Sequence, residues 1–521
     1  YDTKEPVSDK INRSEFRDKV YGCWTGKNIG GTLGAPFEGS REMNSIDFYV
    51  QDLQGKPVPN DDLDLQLIWL TAIERYGVTG ITEEILGELW LTYITGPWNE
   101  YGVCKNNIRH GFIPPLSGAC CNERWRWSNG AWIRSEIWAC MYPGSPDEAA
   151  MTAWKDACCD HSGEGIYAEL FTAAVEAAAF VVSDIRMLIN IGLAKIPEGC
   201  RVARAVNLAL KCYDENLPFE QAWEQIVKDS DDLGWFQAPG NIGFVILALV
   251  YGEGDFGKSI ILAVNCGDDT DCTAGTVGAI LGIVHGFSGI PEKWTEPIGD
   301  TIQTTAINTN KRNLYTQIPE TVTELTDRTI VAAERNALCN RAIPQFTGSK
   351  TSISEKLKYL MTDRECVDKR LALHSEYEWS CKLPCAGIKV EYPAGPYLSA
   401  GDTCKLQVKV SNYNYEDGSV RLRFHLPSDW QCDPFPEISL LCGRNGISSF
   451  EVELLPGTLK DAFIYIPLEV RFADRFVPYT VSIPFMVKSC MKTENPAPSY
   501  HDYFDQRDRA ISCIAKSESK A

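Results

Sequence analysis

Histidine is scarce here, six in 521 residues, and no HExxH pair occurs, which argues against a histidine-based zinc hydrolase. The 20 cysteines include no CxxC pair; Cys381 and Cys385 come nearest, so zinc-ribbon spacing is absent. Most sit in apolar company, as Cys140 does between Ala139 and Met141, and read as buried free thiols of a reducing compartment. Positive charge is also short: 50 Lys and Arg against 70 Asp and Glu leave a formal net charge of −20. That balance argues against a nucleic-acid partner, which needs a basic face. A small phosphate-bearing ligand stays open, because cations or helix N-termini can supply the positive potential. No apolar run approaches the roughly 20 residues of a membrane span. The longest, 244–250 and 279–284, read as core segments. Residues 1–10 lack the apolar core of a signal peptide. The expectation is a cytoplasmic protein with neither a membrane nor a nucleic acid as partner.

What is present is an ordinary globular composition, 44% apolar and 23% charged, in a chain long enough for two or three domains. From about Ser14 to Ala342 the apolar spacing is helical. Leu170, Ala173, Ala174, Ala177, Ala178 and Val181 share one stripe. Residues 273–285 carry Gly275, Gly278 and Gly282, small residues that let helices approach closely, so this helix is expected to be central. Beyond 387 the pattern alternates: Leu406, Val408 and Val410 are separated by Lys405, Gln407 and Lys409. Short alternating strands over about 100 residues predict a β-sandwich. The expected fold is mainly α: an all-helical catalytic domain (1–345), a helical linker (346–386), a small all-β Ig-like sandwich (387–490) and a polar tail (491–521).

Two acidic clusters stand about 200 residues apart. The first is Asn60, Asp61, Asp62 and Asp64, ahead of Leu63, Leu67, Leu70 and Ile73, whose spacing marks a helix with Asn60 as its N-cap. The second is Asp268, Asp269, Thr270, Asp271 and Cys272, ahead of the glycine-bearing helix. Acids at helix starts are often only dipole partners. So many carboxylates on apolar helices are costly, however, unless hard cations relieve them. Nitrogen and thiolate ligands are few, so Mg²⁺ or Mn²⁺ suits the set better than zinc. If the clusters meet, they have the carboxylates for two metals.

These segments resemble the ADP-ribosylglycohydrolase superfamily, in its dinitrogenase reductase-activating glycohydrolase-like branch. The family's glycine-spaced first helix appears as GCWTGKNIGGTLGAPFE (22–38). Its Thr-Asp-Asp motif appears as Asn60, Asp61 and Asp62, and its second metal motif as residues 268–272. SNGAWIR (128–134) is similar to its ligand loop, and the stretch starting DHSGEG (160–165) to its histidine-bearing helix start. The match runs in order over about Ser14 to Gly289. It implies that Asp61, Asp62, Asp269 and Asp271 ligate two divalent cations, with Asn60 and Cys272 standing where the family has threonines. Asn60 would be a further ligand through its carbonyl oxygen, while Cys272 is a poor one for Mg²⁺. Glu38 would be the general acid–base group, with Asp62 and Asp269 beside it in catalysis. Trp127, Asn129, Gly130 and His161 would bind substrate.

The implied activity is metal-dependent hydrolysis of an N- or O-glycosidic bond at the anomeric carbon of ADP-ribose or a related ribosyl group. The substrate would be an ADP-ribosylated protein or a small-molecule glycoside. Cations clamp adjacent ribose hydroxyls while a carboxylate moves the proton. A second reading is a metal-dependent glycoside hydrolase for a non-nucleotide sugar conjugate or oligosaccharide. Residues 424–430 favour it slightly, because they resemble Ig-like modules of bacterial sugar-processing enzymes. Such a module also serves packing or homo-oligomer formation. A non-catalytic scaffold is a third reading, against which the four aspartates and Glu38 speak. The aromatics Trp98, Tyr101, Trp125, Trp127, Trp132 and Trp138 suit either core packing or ring stacking. Residues 252–259 fit the GxxxxGK[ST] phosphate-loop pattern, but Glu253 and Asp255 would repel phosphate and no βαβ unit surrounds them.

Overall fold

Two helices, Arg13–Gly34 and Thr270–His285, meet backbone to backbone at the centre of the helical part. Gly22, Gly26, Gly30 and Gly34 recur every fourth residue and so share a face. A methyl group on each would strike the carbonyls of Gly282, Gly278, Ala274 and Thr270 in turn. One series rises as the other falls, so the helices run antiparallel. The end of the first therefore lies over the start of the second. A short 3₁₀ turn, Ala35–Phe37, then delivers Glu38 beside the second acidic cluster.

The computed structural model describes residues 9–97, 99–307, 317–414, 416–472 and 474–491. Trp98 and the tail beyond Met491 lie outside them. Helices Asp61–Tyr76, Glu164–Ala179 and Ala238–Tyr251 pack around the central pair. Ala238–Tyr251 is buried on every side up to Val250, as its unbroken apolar run requires. Among the described residues no helix is long and apolar enough to cross a membrane. The eighteen cysteines whose side chains are described, Cys272 among them, are free thiols, and most are buried. The phosphate-loop look-alike only joins two helices: Asp255 caps Phe256–Asn265 through the Lys258 amide, and Glu253 pairs with the Lys258 ammonium at 3.5 Å.

Residues 345–347 pair in parallel with Lys10–Asn12, which fastens the end of the helical part to its beginning. Two short helices, Glu355–Met361 and Glu365–Leu371, lead into the β region. Its first strand, Glu378–Lys382, starts inside the stretch expected to be a helical linker. The alternation there is masked by a buried charge: Glu378 is 4% exposed and pairs with Lys389 on the next strand at 2.9 Å. That strand joins Ala386–Glu391, Cys404–Asn412, Ile447–Leu455 and Gln431–Asp433 in one five-stranded sheet. Tyr397–Leu398, Tyr479–Val487, Phe463–Phe472, Gly418–Phe424 and Glu437–Cys442 form the other. Val408 stands opposite Val390 and Phe450, while Leu468 stands opposite Phe424 and Val481. Leu406, Val408, Val410, Leu468 and Val470 fill the space between the sheets.

Candidate metal and active site

Asn60 caps helix Asp61–Tyr76, its side-chain oxygen accepting from the Asp62 amide at 2.7 Å. Asp61 and Asp62 thus stand in the first turn, where the helix dipole favours negative charge. Asp269 and Asp271 open the glycine-bearing helix. The antiparallel contact brings both starts to the end of the first helix. There Glu38, Asp269 and Asp271 each place an oxygen within 4.8 Å of the other two, and Asp62, Asp271 and the Cys272 thiol form a second such group. Asp271 belongs to both.

Asp61 stays outside both groups, its Oδ2 accepting from the Tyr101 hydroxyl at 3.1 Å. Two other acids face elsewhere. Asp64 accepts the Thr305 and Ala306 amides at 2.7 and 2.6 Å. Asp268 accepts from Arg41 Nε at 2.7 Å and from the Phe236 amide at 2.8 Å. Both carboxylates hold loops.

Of the residues expected to bind substrate, three lie behind the cluster. Asn129 Nδ2 donates to Asp269 Oδ2 at 2.7 Å, while its Oδ1 accepts the Trp132 indole at 3.0 Å. Gly130 is buried where a methyl would strike the Glu100 carboxyl. His161 is buried with Nδ1 2.8 Å from Asp160 and Nε2 3.1 Å from Ser128 Oγ. Trp127 alone of the four is half-buried. Asn60 also differs from expectation. Its oxygen is engaged in the cap, and its Nδ2 donates to Asp271 Oδ2 at 3.2 Å.

Sequence reasoning missed Lys27. It is 2% exposed, donates to the Ile133 carbonyl at 2.6 Å, and lies 3.0 Å from Glu136 Oε1 and 3.4 Å from Asp62 Oδ2. Burial opposes its charge, but the Glu136 and Asp62 carboxylates outweigh that and hold the ammonium protonated. The available signal was a lysine inside a glycine-spaced helix flanked by Trp24 and Ile29, a place where a charge needs a buried partner. Asn241, also missed, accepts the Asp269 amide at 3.3 Å.

Burial pushes these acids up. It lifts Asp269 well above the carboxylate range, aided by Asp271 and Glu38. It does the same to Asp62, with Lys27 opposing and Asp271 and Asp61 adding. Asp271 rises to about 7 through burial and then Glu38. Glu38 rises to about 7 through the surrounding protein and then Asp61 and Asp62. Glu38 as a residue is exposed, yet its carboxyl lies within reach of Asp269 and Asp271, and that crowding governs its proton.

A hard cation fits one group better than the other. Glu38, Asp269 and Asp271 offer only carboxylate oxygens, and Asp269 Oδ1 and Asp271 Oδ1 are buried without a hydrogen-bond partner. The other group also has a buried oxygen without a hydrogen-bond partner, Asp62 Oδ2, but it contains a thiol, a poor ligand for such an ion, and faces the Lys27 ammonium.

The sequence model of the ADP-ribosylglycohydrolase family matches residues 12–332. ADP-ribosylarginine hydrolase Tri1 of Serratia proteamaculans (strain 568) is 35% identical over 71 residues, 14% of this chain and 19% of that protein. Its namesake from Pseudomonas putida (strain GB-1) is 39% identical over 49 residues, 9% and 13% of the two chains. The chain therefore spans at most about a fifth of these two relatives' length. A solved ADP-ribosylglycohydrolase-related protein complex is 18% identical, covering 62% of this chain and 99% of that one at a TM-score of 0.39. The family match takes in more than half of the 521 residues, and the chain belongs to the ADP-ribosylglycohydrolase family.

Proposed function

We propose that this chain hydrolyses an N- or O-glycosidic bond at the anomeric carbon of an ADP-ribosyl conjugate, with a divalent cation at its acidic cluster. The observation that carries the proposal is the meeting of Glu38, Asp269 and Asp271 with two buried carboxylate oxygens left unpartnered. Magnesium or manganese held by these three would orient adjacent ribose hydroxyls and stabilise developing negative charge. Asp61 and Asp62 extend the acidic floor, and Tyr101 fixes the direction of Asp61. Asn129 and Asn241 hold Asp269 by its Oδ2 and its amide, which leaves its other oxygen turned to the cluster. Glu38 stands at the open side; in the cation-free chain burial, then Asp61 and Asp62, push its carboxyl up, and a cation held beside it would lower it again. As a carboxylate beside the cation it would take a proton from water as the sugar passes through an oxocarbenium-like state.

The burial of Asn129, Gly130 and His161 favours, as a second reading, a shorter sugar conjugate. They leave Trp127 as the one residue of that set with accessible surface for a distal nucleotide. One assay separates the two. The chain with Mg²⁺ or Mn²⁺ is given ADP-ribosyl-arginine, O-acetyl-ADP-ribose and a panel of aryl glycosides. Release of ADP-ribose is expected, together with loss of at least about 100-fold in kcat for Glu38→Gln. Turnover of aryl glycosides alone sinks the ADP-ribosyl reading and leaves the second.

A further inference from the structure

We infer that this chain binds one divalent cation rather than a pair, and that the Lys27 ammonium stands in for the second. The inference rests on the cation reading above and narrows it. Three features of the Asp62–Asp271–Cys272 group point the same way.

The first is Cys272. Its Sγ lies 3.5 Å from Asp62 Oδ1, so the atom that a hard cation would meet between Asp62 and Asp271 is a thiol. The second is Asn60. Its oxygen caps the Asp62 amide, so the amide nitrogen faces Asp271 and offers a donor where a cation needs an acceptor. Turning the amide over would drop the cap and set its oxygen against a carboxylate.

The third is Lys27 itself. A cation in this group would share Asp62 with an ammonium 3.4 Å from its Oδ2. The ammonium cannot readily leave, because it is buried among Asp62, Glu136 and the Ile133 carbonyl. Glu136 is held in turn by Gln66 Nε2 at 2.7 Å. The lysine stem passes Gly275 so closely that a methyl there would come within 3.3 Å of its Cδ. Close approach of the two glycine-bearing helices therefore builds the ammonium into the site. A dication beside it would be repelled, and Asp62 already has its counter-charge. Among the described residues the Glu38–Asp269–Asp271 group has no such occupant.

Titration of the full, chelator-stripped chain with Mn²⁺, followed by calorimetry and electron paramagnetic resonance, tests this. One ion per chain is expected, with the spectrum of an isolated ion rather than an exchange-coupled pair. Asp269→Asn should weaken binding at least tenfold, whereas Asp62→Asn should keep one ion. The Lys27→Met, Cys272→Thr double variant, its folding checked by circular dichroism, should take up a second ion and show coupling. Two ions in the unaltered chain overturn the inference and leave the cation reading intact. No ion overturns both. Loss of the ion in folded Asp62→Asn but not in Asp269→Asn puts the cation in the other group and overturns the inference. A folded double variant that still binds one ion removes the role given to Lys27.

Discussion

Asp271 has one oxygen on the Asn60 amide and the other unpartnered in the interior, in a carboxyl raised to about 7 by burial and then Glu38. Without a cation, the folded chain keeps a proton that the unfolded chain gives up at ordinary carboxylate pH. The folded state therefore binds more protons between about pH 4 and 7, and stability falls as pH rises through that window. Asp271→Asn removes the burdened charge. The metal-free variant should melt above the parent, with a gap larger at pH 8 than at pH 5. Saturating Mn²⁺ should reverse the order at pH 8. Thermal melts in chelator at the two pH values check this, and an equal gap at both would contradict it. The six acids of the two clusters were legible as a set. Which of them face one another was not. Asp64 and Asp268 are turned away by Thr305, Ala306, Arg41 and Phe236, partners remote in sequence. Lys27 was hidden for the same reason, since Glu136 lies far along the chain.

The central helix pair is the device that joins these residues. Glu38 follows one glycine-bearing helix, and Asp269 and Asp271 begin the other. Their separation is set by backbone contact at Gly22, Gly26, Gly30 and Gly34. Gly26→Ala would drive a methyl into the Gly278 carbonyl, where no flexible side chain can yield. The helices must part, at a cost of about 1–3 kcal/mol or more, since overpacking a close contact is rarely absorbed. Mn²⁺ affinity should fall with the melting temperature, because Glu38 moves off Asp269 and Asp271. Val331→Ala on an exposed helix face, half accessible, serves as the control and should change neither. A lowered melting temperature with unchanged Mn²⁺ affinity would show that the glycine contact holds the fold without placing the site. Each glycine stripe was visible in the sequence as a small-residue face. Their pairing was not, because periodicity marks a face and says nothing of what covers it. The β alternation was legible from Leu406 onward but lost at Glu378, where a buried ion pair interrupts it.

The two parts of the molecule share a core. Phe112, Leu116 and Cys120 of the helical part lie in the cluster that fills the sandwich. His110 stacks on Phe463 at 3.9 Å between ring centroids, and the Tyr465 hydroxyl donates to the His110 carbonyl at 3.0 Å. The segment held this way runs on to Asn122, whose side chain donates to the Gly118 and Asp160 carbonyls at 2.8 Å each. A few residues later come Ser128 on His161 and Asn129 on Asp269. The sandwich thus braces the wall that orients one carboxylate of the cluster, and this gives it a role that needs no sugar binding. Phe463→Ala should therefore lower the stability of the whole chain by about 1–3 kcal/mol, toward the low end because Phe463 is only partly buried. Unfolding should remain a single transition whether followed by helical circular dichroism or by calorimetry. Mn²⁺ affinity should drop several-fold as the Asn129 wall loosens. Two separate transitions, with Mn²⁺ bound as before until the second, would mean that the sandwich is an appendage and that the helical part sets its site alone.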